Sequence, residues 1–205
     1  MRAVRLKIFG EGEPTKLIVG GLHGREWKTT RKLTNNLVPS DEICGTVAIV
    51  SRVALTEEYI STLKREYYDS IAGRRLLNLI RIFKPLIYVE IHAYTKKSFN
   101  RLTDPNRLEK FNVPPFLKLP GGYLLFGSVS HHLLSLYPIK VGLALELPMK
   151  KDIKLELALA KRILSIVFSS CSEDDFWTKI KGLYKENIEF VSYIDRMRKW
   201  LKSHT

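Results

Sequence analysis

Apolar and polar positions alternate with two different periods along this chain. Lys16-Leu-Ile-Val-Gly-Gly21 is a short apolar run closed by two glycines, and the residues from Glu26 onward suit a helix. The local order is therefore strand, glycine turn, helix, with His23 and Glu26 at the junction. Ahead of it, Val4–Ile8 alternates apolar and basic residues and Gly10-Glu-Gly-Glu-Pro14 is rich in turn formers, so a hairpin or edge pair opens the fold. Thr46–Val50 is β-branched and reads as a strand. Thr56–Tyr68 carries Tyr59, Ile60, Leu63 and Tyr67 at helical spacing, and Leu76–Phe83 is a second helical stretch stopped by Pro85.

Leu86–His92 is a run of strand formers with polar residues only near its end. Side chains alternate on a strand, so Tyr88, Glu90 and His92 share one face and His92 sits at the strand terminus. Residues 93–122 are rich in Pro, Asn, Lys and Gly, and predict a loop with short helical pieces, long enough to be functional. Ser128–Leu136 predicts a helix, Gly142–Leu147 a strand ended by Pro148, and Lys154–Phe168 an amphipathic helix. Asp174–Lys202 predicts one or two helices broken near Gly182, with a packing stripe of Trp177, Tyr184, Phe190, Tyr193, Ile194, Met197 and Leu201.

Strands alternating with helices imply an α/β fold, a mixed but largely parallel sheet with helices on both faces. Residues 1–205 form one compact domain, with 172–205 as a helical C-terminal extension. In such sheets ligands gather where strands end and loops begin.

Composition changes this picture little. The chain has 205 residues, 45% hydrophobic and 27% charged, which is ordinary globular usage and excludes disordered and fibrous classes. No apolar stretch approaches the roughly 18 residues that span a bilayer. The first residues lack a secretory signal pattern, so the expected compartment is the cytoplasm. Cys44 and Cys171 show no CxxC spacing, so no disulfide framework and no thiolate metal site are expected. Any metal must use His and carboxylates. A net charge of +13 favours anionic partners, but the Lys and Arg residues are scattered and no nucleic-acid-binding motif accompanies them. A solvated cationic surface accounts for that charge.

Three segments could carry chemistry. His23-Gly-Arg-Glu26 sets an imidazole and a carboxylate three residues apart, close enough to share one ion, although an exposed pair or a capped helix start has the same spacing. His92 offers a third ligand, or a satisfied core histidine. Glu146 lies inside the apolar strand Leu143–Leu147, where a carboxylate must pair with a cation, bind a metal or act as an acid of raised pKa. His131-His132 point to different sides and read as an exposed helix face.

Gly21-Leu-His-Gly-Arg-Glu-Trp27 resembles the first zinc motif of metallocarboxypeptidases, an HxxE element followed by Trp. Ile91-His-Ala-Tyr94 is similar to the segment with their third zinc ligand, and Ala144-Leu-Glu-Leu147 to the strand with their catalytic glutamate. The three occur in that family's order, and the pattern covers roughly residues 16–165. The short chain looks more like the succinylglutamate desuccinylase and aspartoacylase branch, with its uncharacterised archaeal relatives, than like the digestive peptidases.

The resemblance implies a zinc-dependent hydrolase of an amide-type bond, with Zn²⁺ on His23, Glu26 and His92, Glu146 as catalytic acid/base, and Arg25 beside the metal to bind a small anionic amide or peptide. One feature departs from it: the Asn-Arg pair expected before the third ligand is absent there, and Asn100-Arg101 and Asn106-Arg107 follow His92 instead. Two other readings stay open: a nucleic-acid or polyanion-binding protein, and a catalytically silent metal-binding member. Oligomeric state is not indicated.

Overall fold

A computed structural model describes residues 6–39 and 42–204. Positions 4 and 5 of the expected first strand lie outside them. The described elements are β1 (Leu6–Phe9), β2 (Thr15–Gly20), α1 (Trp27–Thr34), β3 (Thr46–Val50), α2 (Arg65–Asp69), α3 (Ile71–Phe83), β4 (Ile87–Tyr94), α4 (Lys96–Leu102) and α5 (Arg107–Phe111). They continue with β5 (Leu117–Lys118), β6 (Leu125–Ser128), α6 (His131–Leu136), β7 (Val141–Pro148), α7 (Lys154–Ser169), α8 (Glu173–Gly182) and α9 (Ile188–Lys202).

The strands form one sheet in the order β1-β3-β2-β4-β7-β6-β5. Its four central strands, β3, β2, β4 and β7, run parallel, while β1, β6 and β5 pair antiparallel at the edges. The protein is thus mixed α/β, parallel in the centre of the sheet. β2, β4 and β7 read as unbroken apolar runs because both their faces are covered. On one face Gly20 lies against Thr30 and Thr34 of α1, and on the other Gly142 lies against Leu134 of α6 and Leu201 of α9. Among the described residues no helix is long and apolar enough to cross a membrane. α8 and α9 bury Phe176, Trp177, Ile180, Phe190, Tyr193 and Trp200 in the same core as the sheet.

Three expectations are corrected. The helix expected over Thr56–Tyr68 shrinks to α2, and the segment before it runs as loop toward His23, where the Tyr59 ring packs edge-on at 4.6 Å and the Glu58 carbonyl accepts from the Gly24 N–H at 2.7 Å. The helix expected from Ser128 begins at His131, capped by the Ser130 hydroxyl, because residues 125–128 are taken up by β6 pairing against β7. The two cysteines are joined as a disulfide, Cα atoms 5.4 Å apart and 127 residues apart in sequence. Sheet formation delivers the start of β3 to the end of α7, where the Cys44 N–H donates to the Phe168 carbonyl at 3.0 Å.

Candidate metal centre

β2 delivers the chain to the site, and a left-handed turn starts it. Gly21 has φ +59°, and a Cβ there would stand 2.8 Å from the Trp27 Cβ, so this position needs glycine. The turn puts His23 against the end of β4 and starts α1 at Glu26. Glu26 is 2 % exposed, and its Oε1 accepts from the backbone N–H of Leu22 at 2.7 Å and of His23 at 3.3 Å. Those bonds aim its other oxygen at the histidines: Oε2 lies 3.1 Å from His92 Nδ1 and 3.7 Å from His23 Nδ1. The two imidazoles stack with centroids 5.2 Å apart. Ligand atoms of His23, Glu26 and His92 all fall within 4.8 Å of one another, the one such group of three among the described residues.

A second layer orients this cluster. His92 Nε2 bonds the buried Glu90 Oε2 at 2.8 Å, and the Tyr88 hydroxyl donates to Glu90 Oε1 at 2.9 Å. Tyr88, Glu90 and His92 do share a strand face, and on that face the small residues Gly142 and Ala144 of β7 stand opposite Tyr88 and Glu90 and leave them room. The Tyr67 hydroxyl fixes the Leu22 carbonyl at 3.1 Å.

The charges are strongly coupled. Burial alone would lower the pKa of His92, but the carboxylates of Glu26 and Glu90 outweigh it and hold the ring well above its ordinary value. Burial would raise Glu26, yet His92 and His23 keep it below the usual range. His23 is lowered, burial winning over the pull of Glu26. His92 is thus flanked by two buried carboxylates, each of which favours the charged form of its ring.

Glu146 stands directly across from His92 in the β4–β7 register and so faces the same side of the sheet. Burial pushes its carboxyl up to about 7, opposed by His92 and reinforced by Glu26. Arg107, noted in the sequence only as part of a misplaced Asn-Arg pair, is 4 % exposed. Burial lowers its pKa to about 10, and Glu146 is the leading charge working against that. It donates to the Pro114 carbonyl at 2.9 Å and lies over the Phe116 ring at 4.8 Å, with no carboxylate in ion-pair range among the described residues. Arg25 is exposed and paired with Glu57 at 2.6 Å. It therefore has a carboxylate partner of its own, outside the buried cluster.

Fold and cluster define an α/β protein with a His/His/Glu group, buried at Glu26 and His92 and half-buried at His23, at the C-terminal ends of two parallel strands. Residues 11–199 match the family described as "Uncharacterized protein conserved in archaea (DUF2119)", and the chain belongs to it. It is similar to the uncharacterized protein MJ0501 of Methanocaldococcus jannaschii, 33% identical over 200 residues and covering 96% of each chain. No solved structure matches it. These findings overturn the metallocarboxypeptidase resemblance, including its succinylglutamate desuccinylase and aspartoacylase branch. It rested on three short segments, whereas the family match spans nearly the whole chain and is to another family.

Proposed function

We propose that this protein is a zinc-dependent hydrolase of an amide-type bond, with His23, Glu26 and His92 as metal ligands and Glu146 as acid/base. The observation that carries the reading is the convergence of three ligand atoms with the far nitrogen of His92 tied to Glu90. Ligand atoms about 2.0–2.1 Å from a tetrahedral zinc lie roughly 3.3 Å apart. Here Glu26 Oε2 is 3.1 Å and 3.7 Å from the two Nδ1 atoms, close to that spacing. Three protein ligands leave a fourth position for water or substrate, the mark of catalytic rather than structural sites.

When bound there, zinc would supply a Lewis acid for a carbonyl and lower the pKa of a bound water. The remaining work falls to the chain's own residues. Glu146, whose carboxyl titrates near neutrality, takes the proton of the attacking water and returns it to the leaving amine. Arg107 supplies a water-poor positive charge on the Glu146 side, suited to a carboxylate on the substrate or to the tetrahedral oxyanion. Glu90 holds His92 with Nδ1 directed at Glu26.

Protein purified without chelator is expected to carry about one zinc per chain, which His23→Ala or His92→Ala loses. Glu146→Gln is expected to keep zinc and lose hydrolysis of whichever N-acyl amino acid or peptide a substrate screen identifies. Full metal retention in both histidine variants refutes the ligand assignment. Zinc without turnover on a broad panel of amides refutes the hydrolase reading and leaves a metal-binding protein.

A further inference from the structure

At the opposite end of the sheet from the metal centre, Cys171 is exposed and lines an open cleft of about 500 Å³ with Glu13, Pro14, Lys84, Pro138 and Lys140. Its partner Cys44 is half-buried. Lys16 of β2 is fully buried, and its ammonium donates to the carbonyl of Cys44 itself and to that of Phe168 at 3.4 Å. No carboxylate lies in ion-pair range of Lys16 among the described residues, so this charge is buried against backbone oxygens alone. Two carboxylates also stand near the disulfide. Asp175 accepts from the Cys171 N–H at 2.9 Å but is paired with Lys179 at 2.8 Å, and Glu13 accepts from the Thr15 N–H at 2.9 Å. Against them stand Lys16, Lys84, Lys140 and Lys179, so the surroundings are net cationic.

A disulfide is opened most readily at its accessible sulfur when the other sulfur leaves as a stabilised thiolate. Cys171 is the exposed partner, and the Lys16 ammonium, bound to the Cys44 carbonyl, places a positive charge on the residue whose sulfur would leave. We propose that Cys44–Cys171 is an exchangeable bond serving small anionic thiols, which dock among Lys84 and Lys140 and attack Cys171. The incoming thiolate forms a sulfur–sulfur bond to Cys171 Sγ, the Cys44–Cys171 bond breaks, and its electron pair leaves on Cys44 Sγ as a thiolate, on the residue whose carbonyl Lys16 holds. A second thiol then attacks the mixed disulfide. The thiol pair is oxidised to its disulfide, and Cys171 and Cys44 end as two thiols once a proton from each donor is transferred.

The test uses the folded, oxidised protein with glutathione, 2-mercaptoethanol and cysteamine, anionic, neutral and cationic respectively, compared at equal thiolate concentration. Intact and peptide mass read the adduct, and circular dichroism confirms that the fold persists. Glutathione is expected to react about 3- to 10-fold faster than cysteamine at low salt, with the adduct on Cys171 and the gap closing at high salt. Lys84→Ala with Lys140→Ala, or Lys140→Gln alone if the double variant does not fold, should close the gap at low salt as well. Lys16→Met should slow all three thiols roughly 3-fold, as expected when the leaving thiol's pKa rises by about one unit. Equal rates for the three thiols, an adduct on Cys44, or reduction only under denaturing conditions would each overturn the proposal.

Discussion

Exchanging Glu90 for Gln removes one charge from the far side of the His92 ring and leaves the ligand atoms in place. The carboxylate accepts from His92 Nε2 at 2.8 Å and from the Tyr88 hydroxyl at 2.9 Å. A glutamine carbonyl still takes the Nε2 proton, and its amide can donate to the Tyr88 oxygen, so shape and bonding survive while the charge that makes the ring a stronger donor is gone. Outer partners of this kind are worth roughly 10- to 100-fold in metal affinity. Glu90→Gln keeps the hydrogen bond and belongs at the low end, roughly 10-fold or about 1.4 kcal/mol. Glu90→Ala loses bond and charge together and belongs at the high end, roughly 100-fold or about 2.7 kcal/mol.

Competition of the metal-free protein against a fluorescent zinc chelator at neutral pH measures both values, with thermal melts to show that each variant is folded. Metal must displace the proton that Glu26 and Glu90 now hold on His92, so wild-type affinity should also rise with pH. Two folded variants with affinities within twofold of the wild type would mean that His92 presents Nδ1 without help from Glu90, or is no ligand. Either result refutes the reasoning.

Phe126 on β6 is fully buried among Phe190 and Tyr193, so Phe126→Ala should cost about 3–5 kcal/mol in urea unfolding. Gly21→Ala forces a side chain into φ +59° and against Trp27, which should cost at least about 1–2 kcal/mol in the same assay and weaken zinc retention by displacing His23. Burial lowers Lys16 from 10.5 to about 8, so between those values the unfolded chain binds more protons and stability should rise with pH. Below the folded-state value both forms are protonated and the cost of burying the charge is present in full. Lys16→Met should flatten that rise, worth at most about 3 kcal/mol, in denaturation compared at pH 7 and pH 10.

What the sequence made legible was local in origin. Leu17, Ile18 and Val19 are fully buried in β2 as their unbroken apolar run predicts, and the two glycines after them mark the turn that leads to His23. β4 and β7 announce themselves in the same way, so His92 and Glu146 could be placed at strand ends before their register was known. β6 could not be read so directly: Leu125-Phe-Gly-Ser128 is four residues long, too short for periodicity to separate a strand from the start of a helix. The loop before α2 failed for another reason. Its apolar spacing suits a helix, but Tyr59 packs on the His23 ring and Glu58 caps Gly24, so tertiary contacts override propensity there.

Arg107 marks the sharpest limit of local reading. Its neighbours in sequence, Asn106 and Leu108, identify only a short polar helix start, and its place after His92 argues against a role taken from motif order. What distinguishes it is burial: the residues around Pro114 and Phe116 fold over its guanidinium and leave Glu146 as the leading carboxylate acting on it. A buried guanidinium without a paired carboxylate costs several kcal/mol unless something compensates for the lost water. The carbonyl and ring that hold it supply part of that compensation, and an anionic substrate seated beside Glu146 would supply the rest. Truncation to Arg107→Met, which keeps much of the packing over Phe116, should therefore leave zinc content unchanged while raising KM for a carboxylate-bearing amide about 100-fold, the loss of roughly 2.7 kcal/mol of charge-assisted bonding. An equal rise for the uncharged methyl ester would return Arg107 to a purely structural role.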